Sequence, residues 1–203
     1  MDIIQTLAQQ LNLTAEQVGK TVQLIDEGNT IPFIARYRKE VTGSLDDSVL
    51  RTLDEKLTAL RNLAQRKQEV QDLIGAQGKL TEEVRAAIER AATVTEVDDI
   101  YRPFRPKRKT RASNARARGL QPLADATLKQ DANFDPQTAA NDYLNEEVPD
   151  AAAALAGAQD IIAETISDDA HCRAELRRYY RAFGRVASAK AKDEDSVYAQ
   201  YYD

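Results

Sequence analysis

A single cysteine, Cys172, is the entire thiol content of this 203-residue chain, which excludes an internal disulfide and fits a reducing compartment. Histidine is equally scarce. His171 and Cys172 alone cannot assemble a zinc site, and no metal or other cofactor is expected. As helical neighbours they would point about 100° apart, so neither can serve the other as nucleophile and base. Long hydrophobic runs are missing too. No uncharged apolar stretch approaches the roughly twenty residues of a membrane span. The N-terminal MDIIQTLAQQLNL has neither the basic flank nor the apolar centre of a signal peptide. A soluble, cytoplasmic protein without a membrane partner is expected. Glycine (8), proline (6) and aromatic residues (6%) are few. Ala, Leu, Glu, Gln, Lys and Arg dominate instead, and their helix propensity predicts an all-α fold.

Charge is what the chain distributes unevenly. Its net charge is −5, yet RPFRPKRKTRASNARAR, residues 102–118, holds eight cations and no acid. Removing those eight from the total leaves −13 for everything else. A concentrated positive patch on a negative body attracts a polyanion locally while the remaining surface repels it.

Helix punctuation is frequent. Thr14-Ala15-Glu16-Gln17 reads as a capping box, with Val18, Val22 and Ile25 on one face and Gly28 as a stop. Pro32 suits the first turn of a second short helix, so 14–27 and 31–40 form a helix-turn-helix-like hairpin. An ordinary αα-hairpin and a groove-reading one share that pattern, and the ordinary one is the commoner. From Asp46 to about Ala76, leucines at steps of three and four predict one long amphipathic helix. Gly75-Ala76-Gln77-Gly78-Lys79 is too short for a phosphate loop and reads as a cap and turn. Helices are expected near 81–92 and 95–101. Pro103 and Pro106 then predict an extended start to the basic run, turning helical near 112–118. Short helices follow near 122–129 and 136–144. Periodicity from Asp150 to about Ser188 predicts either one very long helix or two nearly collinear ones. The expected organisation is a helix-turn-helix-like part (1–45), a helical part carrying the basic loop (46–149), a long helix (150–190) and the truncated start of a further segment (191–203).

The chemistry legible here is binding. Paired acids at Asp46/Asp47, Asp98/Asp99 and Asp168/Asp169 each stand at an expected helix start, where capping explains them better than acid–base catalysis. No enzymatic activity and no small-molecule substrate are expected. Phosphate binding asks for several cations on a backbone that can follow a strand. Arg105, Lys107, Arg108, Lys109, Arg111 and Arg116 are the candidate nucleic-acid-binding residues, with Tyr101 and Phe104 as nearby stacking faces. The competing reading is that these cations pair with Asp98, Asp99 or acids of the long helices. In IPFIARYRKEVTGSL, residues 31–45, Arg36, Arg38 and Lys39 stand beside Phe33, Ile34 and Tyr37. An amphipathic helix with packed apolar residues and solvated cations accounts for each of them singly.

IPFIARYRKEVTGSLDD, DDIYRPFRPKRKTRASNARARGLQPLA and VPDAAAALAGAQDIIAETISDDA, in that order, resemble three signatures of the bacterial Tex family of transcription accessory proteins. The resemblance covers essentially the whole chain, with Arg102 standing where an aliphatic residue is expected. It implies an all-helical N-terminal region with a helix-turn-helix-like part. In the family that region precedes nuclease-like, helix-hairpin-helix and S1 domains, the last carrying most of the nucleic-acid binding. Implied partners are RNA or DNA and RNA polymerase. The alternative is a protein-docking module that contacts polymerase or those further domains and binds no nucleic acid itself.

Overall fold

The computed structural model describes residues 2–106, 109–187, 197, 198 and 201. Among them there is no strand, only an isolated bridge between Asn145 and Val148. The fold is all-α, as composition predicts. No described helix is long and apolar enough to cross a membrane. Packing divides the chain into two units, Met1–Phe104 and Arg105–Asp203. The boundary falls within 46–149, inside the basic run.

The first unit opens with α1 (Ile3–Leu11), a helix absent from the sequence-based expectations. The Asp2 carboxylate accepts from the Gln5 backbone N–H at 3.1 Å, and Asn12 ends the helix at φ 54°. In α2 (Ala15–Asp26) both arms of the Thr14/Gln17 capping box form, each at 3.1 Å. The expected second helix of the hairpin is split. α3 (Ile31–Tyr37) starts with Pro32 in its first turn, Arg38 leaves helical geometry at φ −131°, and α4 (Lys39–Thr42) adds one turn before Gly43 at φ 69°.

α5 (Asp47–Gly75) spans 29 residues, about 44 Å at 1.5 Å per residue. Asp46 caps it, accepting from the Val49 N–H at 2.9 Å. Leu53 and Leu57 pack with Leu7 and Val18, while Leu50 joins Leu24, Ile34 and Leu45. Farther along, Leu63, Val70 and Ile74 meet Ile88 of α6 (Glu82–Arg90) and Val97 of α7 (Val94–Tyr101). Each buried leucine or isoleucine contributes about 1.5–3 kcal/mol. Asp98 and Asp99 sit late in α7 and not at its start, because Thr93 is the N-cap. The expected extended loop is preceded by a 3-10 turn, Arg102–Phe104, where Pro103 needs no N–H.

The second unit holds α8 (Arg111–Ala117), α9 (Gln121–Leu128), α10 (Pro136–Ala139), α11 (Ala151–Asp168) and α12 (Ala170–Phe183). Its core is made largely of small side chains. Ala154, Ala158 and Ile161 of α11 pack with Ala112 and Ala115 of α8 and Leu123 and Ala124 of α9. Gly157 is part of this face: a Cβ there would lie 2.3 Å from Leu120 Cδ1 and 3.3 Å from Ala115 Cβ. Of the two readings open for the periodicity from Asp150, one long helix or two, the structure has two helices, separated by Asp169 alone, whose backbone is extended at ψ 122°. Its carboxylate accepts from the Cys172 N–H at 2.7 Å, so the residue that ends one helix caps the next.

Candidate nucleic-acid interface

The basic run in the second unit is built on α8. Thr110 forms its N-cap: the Oγ1 accepts from the Ser113 N–H at 3.0 Å, and the Ser113 hydroxyl accepts from the Thr110 N–H at 2.8 Å. This pins the chain just after the prolines into a helix whose alanines turn inward. The cations are left at its edge and ends.

α11 supplies two acids, Asp160 and Glu164, one turn apart and on one face. Glu164 is the fastening point. Its side chain is only 15% exposed. One oxygen accepts from Arg116 Nη1 at 2.5 Å and the other from the Thr110 hydroxyl at 3.0 Å. Arg116 also donates from Nε to Gln121 Oε1 at 2.8 Å, and Gln121 donates in turn to Asp125 at 2.7 Å. A charge-assisted bond to a half-buried carboxylate is worth about 1.5–3 kcal/mol, so Arg116 serves the packing of α8 on α11.

The other candidates stand differently. Arg111 is 88% exposed and reaches Asp160 at 3.4 Å. Arg118 reaches Glu147 at 3.7 Å, with both side chains well exposed. Pairs of this kind contribute at most about 1 kcal/mol, so a phosphate can displace the acid at little cost. Lys109 is exposed at a bend and has no ion pair among the described residues. Arg105 is exposed at the preceding bend. Lys107 and Arg108 lie outside the described residues. The structure thus brings Lys109, Arg111, Arg116 and Arg118 onto one short stretch of α8 and its flanks, with Arg116 committed to Glu164.

In the first unit, the acids Asp98 and Asp99 lie late in α7, with Asp99 buried. Asp98 accepts from Arg66 Nε and Nη2 at 2.8 and 2.6 Å. Tyr101 is no stacking face, because it is buried in the α5/α7 core and the Arg66 guanidinium lies 5.7 Å from its ring centroid. Phe104 is half-buried against the same cluster. The acids that matter to α8 are Asp160 and Glu164. Their signal was present in QDIIAETI, where two acids four residues apart interrupt an apolar face.

The Cys172 backbone N–H, and after it the Cys172 thiol, hold the Asp169 carboxyl below its ordinary value, and the bond to that carboxylate pushes the thiol up, away from the reactive thiolate.

The described residues form all-helical units, the second with cations along one short helix. Residues 1–75 match the Tex-like protein N-terminal domain, and residues 131–203 match the Tex central region-like family. The transcriptional accessory protein Tex of Neisseria gonorrhoeae is 48% identical over 177 residues, which is 87% of this chain and 23% of that protein. Protein tex of Bordetella pertussis is 44% identical over 203 residues, covering 99% of this chain and 26% of its own length. The human S1 RNA-binding domain-containing protein 1 is 32% identical over 130 residues, 64% of this chain and 13% of that protein. The chain belongs to the Tex family. It spans about a quarter of the length of the bacterial relatives it matches.

Proposed function

We propose that this chain is the N-terminal helical scaffold of a cytoplasmic, Tex-like transcription accessory factor, and that it contributes to nucleic-acid binding during transcription without catalysing a reaction. The observation that carries this reading is the exposure of Lys109 and Arg111 beside a helix held in place by Arg116 and Glu164. One cation anchors the element and its neighbours face solvent, which suits phosphate contact by a preorganised surface. The accessory role in transcription rests on the names of the bacterial Tex relatives.

Anisotropy titrations with single-stranded RNA and duplex DNA across a salt series test it. The Lys109→Ala/Arg111→Ala chain should lose about 1.4–1.8 from the magnitude of the log–log salt slope, at about 0.7–0.9 per phosphate contact. A wild-type slope near zero, or one that the double substitution leaves unchanged, refutes the contact.

One observation favours a second reading, protein docking. α12 has no buried residue. Leu176, Tyr179 and Phe183 line a groove of about 750 Å³ with Ile166 and Cys172, and Phe183 is 69% exposed. The occupant that fits best is the remaining three quarters of a chain as long as the relatives, with RNA polymerase as the competitor. Leu176→Asp/Phe183→Asp should weaken association with that remainder supplied in trans. Capture of polymerase without the remainder would point to the competitor.

A further inference from the structure

Phe33 and Tyr37 lie one turn apart on α3, while Ile34 between them enters the core with no exposed surface. The two rings touch with centroids 5.2 Å apart and planes tilted by 46°. Arg38 occupies Phe33 further: its guanidinium sits 5.1 Å from the ring centroid, and Nη1 donates to the Tyr37 carbonyl oxygen at 3.0 Å. Tyr37 is the ring left facing water, 55% exposed and braced from behind by Phe33.

Arg36 and Lys39 adjoin Tyr37 in sequence and lie on the neighbouring side of the chain. Both are exposed, and neither has an ion pair among the described residues. With Pro32, Ala35 and Asp47 they border a shallow depression of about 300 Å³. The acid there, Asp47, is held by Arg51 at 2.6 Å. Glu40 is exposed on the next turn, and residues 36–40 carry three cations against that one acid. Local charge therefore favours an anion.

A peptide would need an apolar pocket in which to bury an anchor side chain, as interface hot spots do. The depression is lined by Pro32, Ala35, Arg36, Lys39 and Asp47 and offers none. A planar, unpaired base needs only a braced ring face, and its neighbouring phosphates need cations on either side. Paired bases in a duplex keep their faces stacked on one another. We propose that Tyr37, with Arg36 and Lys39 on the adjoining depression, is a stacking site for an unpaired base of a single-stranded nucleic acid. It belongs to the first unit and stands independently of the α8 cations.

The test is anisotropy of the full chain with a short labelled oligouridylate, an abasic strand of equal length and a duplex. Tyr37→Leu should weaken oligouridylate binding about tenfold, since stacking of one base is worth about that much. The same substitution should leave the abasic strand and the duplex unchanged, and Tyr37→Phe should restore binding to within about threefold. Arg36→Ala/Lys39→Ala should lower the magnitude of the salt slope by about 1.4, at about 0.7 per single-strand phosphate. An equal loss on the abasic strand, an equal loss on duplex, or no loss on any strand overturns the proposal. So does a glutamate-rich peptide whose binding is abolished by Tyr37→Leu while oligouridylate binding is kept. Repeating Tyr37→Leu in the Lys109→Ala/Arg111→Ala chain separates the two sites: a persisting tenfold loss supports stacking even where the α8 pair proves silent.

Discussion

Arg116→Met removes a guanidinium that bonds Glu164 at 2.5 Å and Gln121 at 2.8 Å while keeping most of the aliphatic stem. Glu164 then keeps the bond from the Thr110 hydroxyl and loses the Arg116 charge. Losing a charge-assisted bond costs about 1.5–3 kcal/mol, and the Arg116 side chain is 34% exposed, so solvent softens the loss. The expectation is about 2 kcal/mol. For a unit of this size each kcal/mol lowers the midpoint by about 4–8 °C, giving a drop of about 10 °C. Thermal unfolding by circular dichroism measures it, and faster hydrogen exchange in α8 and α11 locates it. A double-substitution cycle with Glu164→Gln should return a coupling above about 1 kcal/mol. A loss under about 0.5 kcal/mol would mean the pair is ornamental. The polyanion salt slope gives an independent check: it should stay unchanged in Arg116→Met, and a fall of about 0.7–0.9 would make Arg116 a phosphate ligand and overturn its structural assignment.

The packing of α11 and the ion pairs of the first unit support two other perturbations. Gly157→Val should destabilise the second unit by about 1–3 kcal/mol in urea denaturation, because the added carbons meet the buried Leu120 and Ala115 and outweigh any gain in helix propensity. An unchanged midpoint would mean that α11 can shift freely away from α8. Asp26 accepts two bonds from Arg61 at 2.7 Å, which hold its carboxyl below the ordinary value. The pair's contribution is therefore complete above the unfolded carboxyl value of about 3.9 and disappears as pH falls through the lower folded value. Asp26→Asn should cost under about 1 kcal/mol at pH ~7, since both side chains are nearly half exposed, and the gap should close in strong acid. A gap that widens on acidification contradicts this sign.

Local signals carried most of the fold. The Thr14/Gln17 box, the leucine ladder of α5, Pro136 after Asp135, and the alanine-rich α11 all appear where their chemistry places them. One break was not legible: Arg38 carries no glycine or proline signal, and it interrupts a periodicity that would run on in an isolated helix. The other falls at an expected helix start, the acid pair Asp168/Asp169, where one long helix and two collinear ones were both open. Asp169 can also cap α12, so the ambiguity between one long helix and two was resolved by an N-cap bond. α1 is weakly signalled because it has no acid in its first turn, no cation in its last, and Asn12 in place of a stop glycine. In the site, the residue types were evident but their commitments were not. Which cation meets Glu164 depends on the α8/α11 packing, and that packing depends on Gly157 having no side chain.

The 29-residue α5 also ties the cores near its start to the cluster near its end, with which they share no other element. Leu50, Leu53 and Leu57 belong to the cores near its start, and Leu63, Val70 and Ile74 to the one near its end. Helix continuity is cooperative, so a turn melted in the middle withdraws order from both ends at once. The first unit should therefore open as one cooperative block in hydrogen exchange, with its stability pooled along a single rod and not divided between separate subcores.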